Sequence, residues 1–274
     1  MASSPVGRPT RGTTGTNRLR RNDRWIAASR AFLRAADPLV VDLGYGASGV
    51  TAFELATRLQ RIRPDAEVRG LEIDPARVAT ANAQLIDVRA GRTPFPADLR
   101  VSFARGGFEV PLTDARRPAV IRAMNVLRQY DEADVAGAWR TVAARLAPDG
   151  LLVEGTCDEI GRVASWVDVR PDGAPARFTI SLRLADLDEP SIVAERLPKA
   201  LIHRNIPGER IHALLVDLDR EWDRSAALST FGATQRFLAT VTALRAQGWP
   251  VIGGRSRWRL GELTLPWDAV APQH

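Results

Sequence analysis

The residues with the clearest chemical potential lie in Leu39–Gly49, where a short apolar run ends in Asp42 and breaks into Gly44, Gly46 and Gly49. That G-x-G-x-x-G spacing marks a nucleotide-binding turn, because missing side chains let backbone N–H groups approach a ligand. A pyrophosphate would be repelled by the Asp42 carboxylate two residues before the first glycine, so the spacing favours a ligand that is positively charged near this point. A second carboxylate, Glu72, falls in Gly70-Leu71-Glu72-Ile73-Asp74. An acid at about 20 residues beyond such a turn accepts both hydroxyls of a ribose. Together the two acids describe a nucleoside carrying a cation.

These residues need strand ends to hold them. Leu39–Leu43 reads as a buried strand, Thr51–Arg63 as the helix packed on it, and Glu67–Asp74 as a second strand. Pro75–Asp87 is the next helix, with Pro75 in its first turn. Asp98–Phe103 alternates as a third strand, Pro118–Asn125 as a fourth, Asp131–Leu146 as a helix N-capped by Asp131, and Leu151–Glu154 as a fifth strand after Pro148-Asp149-Gly150. Strands alternating with helices over residues 39–154 predict an α/β chain with a doubly wound, mostly parallel sheet. Ala164–Arg170 and Arg177–Leu184 flank Pro171-Asp172-Gly173-Ala174-Pro175 and predict a late antiparallel hairpin. From Glu189 to Gly248 the spacing is mainly helical, and Trp258–Trp267 alternates again as a last strand.

The chain of 274 residues carries a net charge of +6. Lys199 is the only lysine beside its arginines, a pattern that composition bias produces more simply than nucleic-acid binding does. The local pattern is sharper: residues 1–30 hold seven arginines against the single acid Asp23. Residues 1–22 read as a mobile basic tail, and its Arg18, Arg20 and Arg21, with Arg24 just beyond it, form a candidate contact for RNA. Arg24–Ala36 follows as an amphipathic helix. No apolar run reaches the length of a membrane helix and no secretory signal is present, so the expected location is the cytoplasm. Cys157 is the only cysteine, and His203 and His212 lack a carboxylate at ligand spacing, so no metal site is expected.

Over residues 37–185 the sequence resembles the class I S-adenosylmethionine-dependent methyltransferases. Val41-Asp42-Leu43-Gly44-Tyr45-Gly46 is similar to their first motif, Gly70–Asp74 to their second, and Asn125-Val126-Leu127-Arg128-Gln129-Tyr130 to the segment after their fourth strand. The resemblance implies a Rossmann-like fold with S-adenosyl-L-methionine as cofactor. It places Asp42 near the cationic methionine end, Gly44, Tyr45 and Gly46 beneath it, and Glu72 with Ile73 at the ribose. Asn125 and Leu127 would line the cleft. Many members bind the adenine amino group with an acid just after the third strand. This chain has Gly106-Gly107-Phe108 there, so Gly107 backbone contacts and stacking on Phe108 would substitute.

The domain organisation expected is a tail over 1–22, a cofactor-binding core over 23–185, and a helical extension over 186–274 serving as a lid or acceptor-binding region. In-line methyl transfer asks mainly for positioning and exclusion of water. Candidates for handling the acceptor are Glu154, Asp158 and Glu159 after the fifth strand and Arg128 and Tyr130 after the fourth; each also has a plain structural role open to it. Lys199, His203, Arg204, Arg210 and His212 would either meet an anionic acceptor or form a solvated face. The methyl acceptor is expected to be a small molecule. The competing readings are an RNA methyltransferase or RNA-binding protein, and an NAD-dependent oxidoreductase sharing the glycines and the ribose acid.

Overall fold

The computed structural model describes residues 5–9, 15–113 and 115–273. The described residues divide into two compact units, one falling within residues 1–154, 159–161 and 169–174, the other within residues 155–158, 162–168 and 175–274.

In the first unit, helices α1 (Arg20–Ala28), α2 (Arg30–Leu33), α3 (Val50–Gln60), α4 (Pro75–Arg89) and α5 (Glu132–Ala143) accompany strands β1 (Leu39–Leu43), β2 (Glu67–Glu72), β3 (Val101–Arg105), β4 (Val120–Met124) and the first four residues of β5 (Leu151–Cys157). The strand order is β3-β2-β1-β4-β5. β1 pairs in parallel with both β2 and β4, and β2 in parallel with β3. All five residues of β1 and of β4 are buried, as expected where helices cover both faces of a parallel sheet. The alternating strand and helix pattern over residues 39–154 is therefore the observed doubly wound architecture.

Several boundaries move for local reasons. The helix expected over Arg24–Ala36 starts at Arg20 and breaks at Ser29, whose backbone turns extended (ψ 143°) and whose hydroxyl accepts from Phe32 N–H at 3.2 Å. Serine restarts the helix by capping it. Asp74 leaves the second strand for the same reason, accepting from Ala76 N–H at 2.8 Å as the N-cap of α4. Asp131 does take the N-cap position of α5, but with no side-chain cap bond.

The second unit contains β6 (Val163–Val169), β7 (Pro175–Leu182), α6 (Lys199–Ile202), α7 (Arg210–Arg224), α8 (Ala233–Ala246), α9 (Arg255–Trp258) and β8 (Glu262–Pro266). The turn of the expected hairpin is present between β6 and β7 and its residues count with the first unit: Gly173 N–H donates to Arg170 O at 2.8 Å and Arg170 N–H to Ala174 O at 2.9 Å. β8 runs antiparallel to β7, with Thr179 and Thr264 hydroxyls 3.0 Å apart across the pair. Trp258, expected to open the last strand, instead ends α9. The long helices bury Leu214, Leu218, Trp222, Phe237 and Val241, and Arg236 lies 3.9 Å over the Trp222 ring.

Candidate nucleoside site

β1, β2 and β4 end where the strand order reverses direction about β1, the place where open α/β sheets form a ligand crevice. The turn after β1 holds Gly44 at φ 67° and Gly46 at φ 91°, left-handed values that glycine adopts without strain. Glu72, buried at the end of β2, reaches under this turn: Gly46 N–H donates to Oε2 at 3.1 Å and Ile73 N–H to Oε1 at 2.9 Å. Arg77 lies 3.6 Å from the same carboxylate. A small cavity of about 10 Å³ is lined by Leu43, Gly44, Glu72, Ile73, Gly107, Phe108 and Val126, among others. Gly49 has a different task. A Cβ there would come within 2.7 Å of the Phe103 ring, so the third glycine serves packing in the cluster of Tyr45, Phe53, Phe95 and Phe103.

Two residues other than glycine adopt positive φ close in sequence to the cavity's lining. Asn125, which precedes Val126, has φ 61°, and Val110, buried in the loop after Phe108, has φ 42°. A β-branched residue in that region costs on the order of 1–3 kcal/mol and persists only when its surroundings fix it. Tyr45 is buried against Phe103; burial, then Glu72 and Asp42, push its phenol well above the usual range. Leu127 is buried at the start of a short 3-10 turn.

Asp42 does not present its charge to the crevice in the way its sequence position suggests. It is buried, and in register with it on β4 stands Arg122, which is fully buried. Arg122 Nε donates to Asp42 Oδ1 at 2.8 Å and Nη2 to Oδ2 at 2.5 Å, a bidentate pair, while Thr51 Oγ1 adds a bond at 3.2 Å. Arg122 Nη1 also pairs with Asp23 of α1, which pairs in turn with Arg58 of α3. Glu54 and Asn17 extend the network: Asn17 N–H donates to Glu54 Oε1 at 2.7 Å and Arg58 Nη2 to Asn17 Oδ1 at 2.6 Å. Burial pushes the Asp23 carboxyl up to about 6 against the pull of Arg122 and Arg58. Burial works against the Arg122 charge too, but Asp42 and Asp23 outweigh it and hold the guanidinium above its ordinary value. The overlooked signal was an arginine in the middle of the apolar run Val120–Met124, which only a buried acid accommodates.

The other candidates separate. Tyr130 joins the site: its ring lies 5.4 Å from Phe108 and its hydroxyl accepts from Arg8 N–H at 2.5 Å. Arg128 is exposed. Glu154 is buried within β5, its Oε2 accepting from Trp139 Nε1 at 3.2 Å. Burial pushes its carboxyl up to about 8, only partly opposed by that bond. In the second unit, Asp158 accepts from Arg162 N–H at 2.8 Å, which closes a turn. Glu159 falls in the first unit, in the link between β5 and β6. His203 lies 3.1 Å from Lys199 Nζ, and His212 Nδ1 lies 3.0 Å from Asn205 Oδ1. Arg204 lies 3.3 Å from Glu209, and Arg210 Nη1 donates to Asp268 O at 2.6 Å. Cys157 is buried. Among the described residues no cluster of His, Cys, Asp or Glu is disposed to hold a metal, and no helix is long and apolar enough to cross a membrane. The 186–274 extension carries an apolar groove of about 820 Å³ beside Phe231, Leu238 and Ala243.

The basic segment expected to be a solvated tail is built into the first unit over its described residues; Arg11 lies outside them. Arg20 Nη1 donates to Ile160 O at 3.3 Å and Arg21 Nε to Gly161 O at 3.1 Å. Arg21 is itself buried, and Arg18 and Arg24 are partly so. Residues 5–9 contact Phe108, Glu109, Gln129 and Tyr130. Sequence reasoning missed Arg8 and Glu109 in this part of the site.

No family model and no curated protein matches the chain. Among solved structures, it is similar to a protein of Galdieria sulphuraria described as a sarcosine dimethylglycine methyltransferase, at 22% identity and a TM-score of 0.36 over 50% of this chain and 46% of that one. It is similar to a mitomycin 7-O-methyltransferase at 26% identity, TM-score 0.36, over 50% of this chain and 36% of the other. A glycopeptide N-methyltransferase complexed with S-adenosylmethionine matches at 22% identity, TM-score 0.34, over 49% of this chain and 48% of its own. The chain thus spans less than half the length of each. Likeness at this level says nothing about activity, which rests on the site itself.

Proposed function

We propose that this protein is an S-adenosylmethionine-dependent methyltransferase acting on a small molecule. The observation that carries the reading is the Glu72 carboxylate, buried at the end of β2 at the switch point of the sheet and bonded to the glycine turn through Gly46 N–H. A carboxylate so placed is fixed to receive ribose hydroxyls, with Gly44 and Gly46 leaving the backbone open to the rest of the ligand. After β5 the chain forms the β6–β7 hairpin instead of another helical crossover. A dinucleotide needs two mononucleotide halves, so the fold suits a single nucleoside better than NAD. With Asp42 bonded to Arg122, the preference for a cationic ligand no longer rests on that residue's charge. The inward bonding of Arg20 and Arg21 removes the main support for RNA as the substrate.

In this reading Glu72 and Ile73 hold the ribose, Gly44, Tyr45 and Gly46 pass beneath the amino-acid end, and Phe108 faces the base. The cofactor supplies an electrophilic methyl group on a sulfonium. The protein's own contribution is orientation and a dry crevice, which together lower the barrier without a protein nucleophile. Calorimetric titration with S-adenosylhomocysteine and NAD tests the assignment. S-adenosylhomocysteine should bind and NAD should not, and Glu72→Ala should weaken S-adenosylhomocysteine by roughly 10- to 100-fold through its lost ribose bonds. NAD binding without S-adenosylhomocysteine binding overturns the reading. Isotopically methyl-labelled cofactor incubated with small-molecule and RNA fractions then identifies the acceptor class.

A further inference from the structure

The base end of the crevice is filled by the chain itself. Val6 N–H donates to Glu109 Oε2 at 2.8 Å, and Val6 O accepts from Phe108 N–H at 2.8 Å. Glu109 is held for this contact by Gly107 N–H, which donates to its other oxygen at 2.9 Å. Gly107 must be glycine here, since a Cβ would overlap Val6 O. The following residues complete a strap: Arg8 N–H donates to Tyr130 Oη at 2.5 Å, Gln129 Nε2 donates to Arg8 O at 3.1 Å, and the Arg8 guanidinium lies 5.3 Å over the Tyr130 ring. Arg8 lines the cavity below, whose volume of about 10 Å³ has room for no more than a water.

The pair that Val6 occupies has a definite chemistry. One carboxylate oxygen seeks a donor and one backbone N–H seeks an acceptor, side by side and next to an aromatic face. The amino edge of adenine offers the same couple, an exocyclic N–H beside a ring nitrogen. We propose that residues Pro5–Pro9 are an intramolecular plug in which the Val6 peptide stands in for an aminopurine edge, and that a nucleoside ligand must displace it from Glu109 and Phe108 to enter. The proposal rests on the nucleoside reading above and adds to it a built-in competitor. Apparent affinity is then lowered by the fraction of molecules with the plug seated.

Gly7 provides the handle for a test, because it lies at φ 126° and a Cβ would sit 3.0 Å from Tyr130 Oη and 3.1 Å from Ile73 Cδ1. Gly7→Ala and Gly7→Val unseat the strap by crowding Tyr130 and Ile73, and the added Cβ meets Phe108 Cε1 only at 3.8 Å, an ordinary van der Waals distance. In the whole 274-residue chain both variants should bind S-adenosylhomocysteine about 3- to 10-fold more tightly than the parent, Val more so than Ala. Hydrogen exchange on the parent gives a second readout: saturating S-adenosylhomocysteine should strip protection from the Val6 and Arg8 amides. Unchanged or weaker binding in both variants, or gained protection at Val6 and Arg8, overturns the plug while leaving the nucleoside site standing. Failure of every form to bind S-adenosylhomocysteine rejects the site and the plug together.

Discussion

Asp42 on β1 and Glu154 on β5 are both buried carboxylates in the same parallel sheet, yet their surroundings treat them in opposite ways. Asp42 meets a guanidinium in bidentate geometry and a threonine hydroxyl. Glu154 meets one indole N–H, and among the described residues its Oε1 has no hydrogen-bond partner. Desolvation disfavours a charge in either place, and only a nearby opposite charge or several donors can offset it. The first position therefore holds an ion pair, while the second holds a proton at neutral pH. Burial alone says little about what an acid does; the partner across the strand decides it.

The largest effect should come from removing that partner. Arg122→Met would leave Asp42 and Asp23 facing each other's charge in the interior, with Arg58 the nearest remaining cation. Losing one member of a buried pair costs about 3–5 kcal/mol, a large share of the roughly 5–15 kcal/mol that keeps an ordinary domain folded. Urea unfolding at neutral pH measures it, and a loss below 1 kcal/mol would show the network to be dispensable. Glu154 makes a smaller and pH-dependent contribution. Its carboxyl titrates near 8 in the folded chain against an ordinary 4.5. Between those values the folded state keeps a proton that the unfolded state has released, so stability falls as pH rises through the window and levels off above it. The difference should be on the order of a few kcal/mol between pH 5 and 9. Glu154→Gln should flatten that slope and be the more stable form at pH 9; parallel curves for the two proteins would contradict a held proton.

The same pair shows what the sequence could convey. Strand and helix alternation over residues 39–154 was visible because fully buried strands read as short apolar runs between turn signals. The glycine turn and Glu72 were visible because each follows a strand at fixed spacing. The partner of Asp42 was not, since Arg122 lies 80 positions away and meets it only through the parallel register of β1 and β4. The seating of Val6 on Phe108 and Glu109 was hidden likewise. Its bonds run from the backbone of Val6, and a Ser-, Gly- and Pro-rich segment gives no periodic sign of where its backbone will bond.

The finest discrimination comes from the neutral donors. Thr51→Val removes a hydroxyl from a carboxylate paired with a guanidinium, and Trp139→Phe removes an N–H from one that burial pushes towards its protonated form. Hydrogen bonds to charged groups contribute about 1.5–3 kcal/mol and neutral ones about 0.5–1.5, so the hydrogen-bond part of the cost should be the larger for Thr51→Val. Packing offers a control: Trp139 is buried and loses ring volume as well, so its cost at pH 6 is chiefly that of the smaller ring. At pH 9 the order should narrow, because Glu154 then bears charge and misses the indole. Unfolding curves for both variants at the two pH values separate these contributions. A Trp139→Phe penalty independent of pH would mean that Glu154 does not change its charge in the folded chain over that range.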